Sequence, residues 1–443
     1  MRMKLPETQW KARGKRREWG GARQTRLPLG GLWARKKAVN LCWRWILLLL
    51  LPGSLWPFVA GGQIDPYKRE LVQLGYNSAV EGHAPLSAYA FYYWNQPGFL
   101  RTNLTLRLAV APTYLDSELG IAHVLGENTD LGIGVAGGAF ADNYMEIDRG
   151  TYLPSQSFDG YGAQTSLSLY HLFNPGAMIP LNGLVRGTAH FSTYDRTDET
   201  AGNFQLPRDR DTFSVRTGLR WGGREPVLFP ALAMELSAWY EGEFRTGTGS
   251  YGYGDRSIVP QSHLFWAEAM LAYTLPELKH SFYVSVTAGT SLNADRFSAY
   301  RLGSLLPLIA EYPLPLPGYY YQEISAQSFV MLGGDYTMPL DKAGHWSLNG
   351  IVSSAWVDYL SGLEQPGHWN TGLGGGLLYT SPSWKVLLGY GYGVDAIRSH
   401  GRGGQSVGIL VQLDLEKALA AMPEATQPGR WRGFQQLFDV FGK

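Results

Sequence analysis

The 443-residue chain has a formal net charge of +1, and 17% of its residues are charged, against the roughly 25% usual in globular proteins. That balance excludes the basic footprint of a nucleic-acid-binding protein. Glycine (55), tyrosine (26), phenylalanine (18) and tryptophan (15) are abundant, yet mean hydropathy is −0.16, too low for a multi-helix membrane protein. Such a chain fits a transmembrane β-barrel, in which lipid-facing and lumen-facing residues alternate and average out.

Residues 1–35 are basic and low in apolar content and read as a disordered extension. Residues 36–62 have the order of a signal peptide: Arg35, Lys36, Lys37 and Arg44, then the apolar Trp45–Leu51, then Ala60, Gly61 and Gly62. The uninterrupted apolar core is too short to span a bilayer comfortably, so cleavage near Ala60–Gly62 is expected, with an uncleaved anchor as the alternative. Cys42 is the single cysteine and follows no lipobox-like triplet. Once the leader is removed, disulfides and cysteine metal sites are excluded. Residues 63–88 are read as a short periplasmic segment holding at most one short helix over 65–82.

Residues 89–416 are read as the barrel. From Leu86 on, period-two segments alternate with Gly/Pro/Asn/Asp clusters. In "TNLTLRLAVAP" (102–112), Leu104, Leu106, Leu108 and Val110 share one face. In "DTFSVRTGLRW" (211–221), Phe213, Val215, Leu219 and Trp221 face one way, and Arg216 and Arg220 the other. Many segments reach ten residues, the length of a tilted membrane strand rather than a globular one. Fourteen are directly visible, 86–94 and 142–153 are further candidates, and closed bacterial barrels favour even numbers. The expected fold is therefore all-β: a transmembrane antiparallel barrel of 14–16 strands. Arg107, Arg186, Arg216, Arg220, Glu235 and Glu268 are candidates for lumen charge. The connection over about 292–325 is long and too aromatic to be a solvated linker, so it is expected to fold into the lumen.

Little points to catalysis. The nine histidines show no H-E-x-x-H or other metal-ligand spacing, and no metal, cofactor or catalytic residue is expected. Gly404-Gln405-Ser406-Val407-Gly408 matches G-x-S-x-G, but a nucleophile elbow needs a helix after the serine. Here strand alternation runs on to Asp414, so Ser406 is read as a lumen-facing hydroxyl. Residues 417–443 form a C-terminal tail.

"DRFSAYRLGS" (295–304), "LPGYYYQE" (316–323), "QSFVMLGGDYTMPL" (327–340), "LNGIVSSAWVDYL" (348–360), "TGLGGGLLYTSPSWKVLLGYG" (371–391) and the closing "GGQSVGILVQLDL" occur in an order that resembles the last strands of the BamA/TamA outer-membrane assembly superfamily (the bacterial surface antigen region). The resemblance covers about 290–415. It implies a 16-stranded barrel whose first and last strands pair weakly, and a lumen loop that presents Arg-Gly-Phe/Tyr to an acidic residue. On this sequence Gly318-Tyr319 match the loop tip and Asp358 the acidic anchor, with Arg301 and Gly303 in the same loop. Pro317 stands where the family has arginine, which leaves Arg301 or Tyr319–Tyr321 as partners for Asp358. The chain looks like a short member lacking periplasmic transport repeats.

The expected activity is insertion or translocation of protein or lipid at the bacterial outer membrane, reached by export through the periplasm. It would use a weak seam between the strands near 102–112 and 404–415, where Gly408 weakens closure. A passive porin-like channel is the alternative, and a barrel enzyme acting on lipid a lesser one. Expected partners are outer-membrane lipid, an outer-membrane protein or lipid client and a separate periplasmic protein, but no nucleic acid.

Overall fold

A computed structural model describes residues 65, 67–224, 227–306 and 313–421. The expectations for 1–35, for the signal peptide and for nearly all of the tail lie outside the described residues. Sixteen antiparallel strands form a closed barrel. They are β1 (Arg69–Ala79), β2 (Ser87–Pro97), β3 (Leu104–Ala111), β4 (Tyr114–Ile121), β5 (Thr129–Gly138), β6 (Asp159–Leu172), β7 (Leu181–Asp195) and β8 (Arg210–Gly223). They continue as β9 (Leu232–Arg245), β10 (Gln261–Thr274), β11 (Ser281–Leu292), β12 (Ile324–Pro339), β13 (Trp346–Tyr359), β14 (Trp369–Thr380), β15 (Trp384–Arg398) and β16 (Gly401–Asp414). Each pairs with its neighbours in sequence, and β16 returns to β1 from Leu71↔Asp414 to Ala79↔Ser406. Among the described residues, no helix is long and apolar enough to cross a membrane.

Closure by β1 corrects the sequence reading in two respects. Within 65–82, residues 69–79 are a wall strand rather than a periplasmic helix, and this strand, not 102–112, is the first. The alternation behind this is present in the sequence. Leu71, Gln73 and Asn77 are buried inside, while Leu74 and Tyr76 stand exposed outside. Gly75 completes the inner face because the Tyr89 ring of β2 occupies the space of a side chain. Segment 86–94 is a wall strand as well. Segment 142–153 is not: it forms a small hairpin, Ile147–Asp148 with Thr151–Tyr152, folded over the mouth of the barrel.

The two faces of the wall have the chemistry of two solvents. Outside, Leu219, Leu236, Val284, Leu332, Val352 and Leu388 remain about half exposed, an apolar band that water would penalise and lipid would not. Trp221, Tyr273, Tyr336, Trp346 and Trp384 border it at the end that carries the chain termini, as amphipathic rings do at a membrane interface. Inside, cations of the wall meet carboxylates. Arg107 bonds Asp116 at 3.1 Å, and Arg186 bonds Glu118 at 3.0 Å. Arg216 bonds Glu241 at 2.8 Å, and Arg220 bonds Glu235 at 3.1 Å. Arg220 and Arg216 also lie 5.3 Å from the rings of Trp239 and Trp266, which stack on one another. Lumen charge is therefore present where the sequence places it, and Glu268 is buried on the same face.

Candidate functional site: the loop seated on the closing strands

The described parts of the connection between β11 and β12, residues 293–306 and 313–323, fold into the barrel and are held at both ends. At its start, Asp295 accepts two hydrogen bonds from Arg245 Nη1, at 2.8 and 3.0 Å, and further ones from the main-chain N–H groups of Phe297 and Val259. Residues Tyr300–Leu302 then pair with Ile324–Ala326 at the top of β12. Leu302, Leu316, Tyr319, Ile324, Phe329 and Val357 close over this return as a buried cluster.

Between these ends, the loop lies on the inner faces of β14, β15 and β16. Those faces are built of glycine, and the close approach explains why. A Cβ on Gly374 would lie 3.1 Å from Leu305, on Gly389 3.2 Å from Leu305 and on Gly408 2.9 Å from Leu306. One on Gly391 would lie 3.0 Å from Pro317, and one on Gly372 or Gly404 2.5 Å from the Pro317 or Gly318 carbonyl. Leu305 and Leu306 pack with Leu378, Leu387 and Leu410. Burying each such leucine stabilises the seat by about 1.5–3 kcal/mol. Gly408 therefore serves the loop, while the seam ladder runs through it unbroken at Asn77↔Gly408.

The tip is fixed by a charge clamp. Arg398, at the end of β15, bonds Glu323 of the loop through Nη1 at 2.9 Å and Nη2 at 3.0 Å. Its Nη2 also donates to the Gly318 carbonyl at 2.9 Å, and the guanidinium covers the Tyr320 ring at 3.9 Å. Both partners are almost fully enclosed. Glu323 is further fixed by the Tyr320 N–H, which donates to it at 2.6 Å. The Ser406 hydroxyl accepts the Gly318 N–H at 3.1 Å. The serine of G-x-S-x-G thus holds the loop tip, and strand rather than helix follows it. Gly318 has φ +84°, and a Cβ there would overlap the main chain of Gly393, so this position requires glycine twice over. From the tip, the Tyr320 hydroxyl reaches across the seam to the Glu81 carbonyl, 3.2 Å away.

The clamp has the polarity opposite to the expected one. Asp358 does not anchor the loop. It is exposed on the outer face, because Val357 takes the inward position in this part of β13. Arg301 is directed elsewhere, to the Gln322 and Arg296 carbonyls at 3.4 and 3.5 Å and over the Tyr144 ring. Tyr319 is buried against Gly393 rather than bonded to a carboxylate. Gly303 lies where a side chain would overlap the Tyr320 carbonyl. The wall supplies the cation, Arg398, and the loop supplies the acid, Glu323. Sequence reasoning passed over this pair because nothing in their 75-residue separation links them.

The loop also meets a cap. Arg296 lies 3.3 Å from Glu146 in the hairpin segment, and Arg256 reaches the same carboxylate. Tyr144, Phe158, Tyr194, Phe204, Tyr251 and Phe297 form an aromatic cluster beneath it. His190 bonds Asp142 at 2.7 Å and Gln164 at 3.3 Å. Burial pushes the Asp142 carboxyl upward, but the His190 contact outweighs it and holds the group below the usual carboxylate range. Among the described residues, no three His, Cys, Asp or Glu side chains gather as a metal site.

Among solved structures, CdiB from Escherichia coli aligns with 82% of this chain and 63% of its own, at 13% identity and TM-score 0.53. BamA from Haemophilus ducreyi, in a form lacking POTRA domains 1–3, aligns with 85% of this chain and 79% of its own, at 12% identity and TM-score 0.50. The chain has the fold of the BamA and CdiB barrels. CdiB from Acinetobacter baumannii aligns with 78% of this chain at 11% identity and TM-score 0.50. The chain spans 60% and 63% of the lengths of the two CdiB chains. No protein-family model and no curated protein matches the sequence. The shared architecture makes this an outer-membrane-type β-barrel.

Proposed function

We propose that the protein works in a bacterial outer membrane, where it inserts or translocates a polypeptide or lipid client, with the loop 293–323 controlling the lumen. The observation that carries this reading is the Arg398–Glu323 clamp, with Gly318 held by Ser406. It ties the loop tip to the last two strands, and Tyr320 extends the tie to the β1 side of the closure. An element fixed to both sides of the closing junction couples the state of the lumen to the state of the wall. The fold shared with BamA and CdiB agrees with such a role. A separate periplasmic protein that delivers the client belongs to this reading. The direct test is folding of an unfolded client barrel into liposomes that contain the purified protein. Acceleration over empty liposomes, lost when the loop is fixed by a disulfide to the inner wall, supports the reading. No acceleration with any client barrel refutes it.

A second reading, the passive channel, is favoured by the charged inner wall of β3 to β9. Planar-bilayer recordings separate the two. Large, stable pores from the intact protein support the channel. Pores seen only after the loop is deleted support a plugged transporter.

A further inference from the structure

The wall has one place where its pairing runs out. β2 pairs with β1 from Ser87↔Asn77 to Asn95↔Arg69. On its other side it meets β3 only from Tyr92↔Val110 to Pro97↔Thr105, six residue pairs. Every other junction of the wall has at least eight, the shortest being β3–β4 and β4–β5. Ser87–Phe91 therefore have no ladder partner towards β3, and among the described residues no other main-chain hydrogen bond reaches them. The cause is the shortness of the neighbouring hairpin. β3 and β4 are eight residues each, joined across 112–113. Eight residues at about 3.3 Å rise span roughly 26 Å along the strand and roughly 19 Å along the membrane normal at a ~45° tilt. The apolar band of such barrels is about 25 Å tall. The wall dips here, and the open edge of β2 borders the gap.

The side chains along this edge are arranged for a neighbour. Ala88 and Ala90 point outward and are small. Ser87, Tyr89 and Phe91 point inward, with the Tyr89 and Phe91 rings stacked at 5.8 Å. Unpaired N–H and C=O groups facing hydrocarbon cannot be satisfied by lipid tails, whereas another extended backbone satisfies them in register.

The first/last junction offers no comparable opening. Its nine pairs are reinforced by Gln73–Gln412 at 2.8 Å, Gln405–Glu81 at 2.6 Å, Val80–Gln405 at 2.9 Å and Lys68–Glu416 at 2.5 Å. We propose that the free edge of β2, Ser87–Phe91, is a docking site for an extended polypeptide segment, which joins the wall by strand addition. This rests on the function proposed above and names where its client first binds. The client segment is apolar at the residues beside Ala88 and Ala90, and tolerates aromatic neighbours on its inner face. Docking there breaks no existing ladder bond.

The test uses the full chain in nanodiscs, with Cys42→Ser as background and Ala90→Cys or, if that variant folds poorly, Ala88→Cys. The seam control is Ile409→Cys, whose side chain also points outward. The probe is a twelve-residue synthetic peptide of alternating valine and serine, with one cysteine walked along it. Disulfide formation at the β2 edge should recur with period two along the peptide. N-methylation of the peptide at the edge-facing amides should lower it about tenfold, the effect of losing one or two hydrogen bonds. N-methylation in the opposite register should leave it unchanged. Cross-linking confined to Ile409→Cys, indifference to N-methylation, or an Ala90→Cys homodimer that excludes the peptide would overturn the proposal. Client folding in liposomes keeps the two readings apart. If folding is accelerated while the peptide labels only the seam, the docking site alone is wrong. If the peptide labels the edge and no client folds faster, the functional reading alone is wrong.

Discussion

Replacing Arg398 by glutamine should unseat the loop tip while leaving the barrel closed. In the native structure Arg398 and Glu323 have 2% and 0% side-chain exposure, so removing the cation strands a buried carboxylate. Breaking a buried pair from one side costs about 3–5 kcal/mol. The Gly318 carbonyl loses its donor and Tyr320 its cation at the same time. The cost falls on the loop, because the wall ladders on either side of β15 do not involve these side chains. At about 1.4 kcal/mol per factor of ten, the open fraction of the tip should rise by about two to three and a half orders of magnitude. The assay is chymotrypsin cleavage after Tyr319–Tyr321 in the detergent-solubilised barrel, followed with amide exchange over 316–323. Glu323→Gln should open the tip less, since Arg398 keeps the Gly318 carbonyl and the Tyr320 ring. The double variant Arg398→Met/Glu323→Leu, which buries no lone charge, should recover most of the protection. Equal protection in the wild type and Arg398→Gln, or a double variant more open than either single one, would show that the clamp does not hold the loop.

Gly318→Ala should open the tip at least as far as Arg398→Gln by the same cleavage assay. It adds a backbone strain of about 1–3 kcal/mol at positive φ to an overlap with Gly393. Gly408→Ala should lower thermal stability by about 1–3 kcal/mol through overpacking against Leu306, and Leu306→Ala in the same chain should return part of that loss, read as a coupling in thermal melts. Asp358→Asn should leave cleavage, exchange and melting unchanged within about 0.5 kcal/mol, as expected of an exposed outer-face residue. In planar bilayers, Arg398→Gln should conduct more often than the wild type, and unchanged conductance would uncouple the clamp from the lumen.

How much was legible depends on whether a residue's role follows from its own strand. In β8, Phe213 and Leu219 outside and Arg216 and Arg220 inside follow from alternation alone. The lumen charges are readable for the same reason, and the buried loop from its length and aromatic content. β2, "SAYAFYYWNQP", was only a candidate because both its faces are apolar, so the period is faint. β1 carries Arg69, Glu70, Gln73 and Asn77 among its apolar residues and so reads as at most a short helix rather than as a wall strand. Its alternation resolves only once Gly75 is known to be filled by a neighbour's ring. Asp358 follows Val357 in a strand whose inward parity no local pattern declares, and resemblance placed it on the wrong face. Arg398 and Glu323 meet only because the end of β15 and the connection before β12, distant in sequence, converge at one end of the barrel. The glycines of β14 to β16 carry no reason of their own in the sequence, and only the loop shows what they leave room for.

The clamp, the loop and the cap behave as one obstruction rather than three. Arg398 fixes the loop tip, and the residue beside it, Ile397, lies where a side chain on Gly150 of the cap hairpin would overlap its carbonyl. Arg296 of the loop and Arg256 share the buried Glu146 of the cap. Arg149 donates to the Glu364 carbonyl at 3.2 Å, and the His83 ring meets Tyr152 beside the seam. Lifting the loop therefore leaves Glu146 with one cation fewer, and lifting the cap leaves Arg296 without its carboxylate. Either half-open state breaks a buried ion pair, which makes it costlier than the loss of an exposed contact. The lumen is then expected to open in one step or not at all. In the reading proposed above, a client held at the β2 edge would supply the free energy for that step by adding its own strand, without first parting β1 from β16.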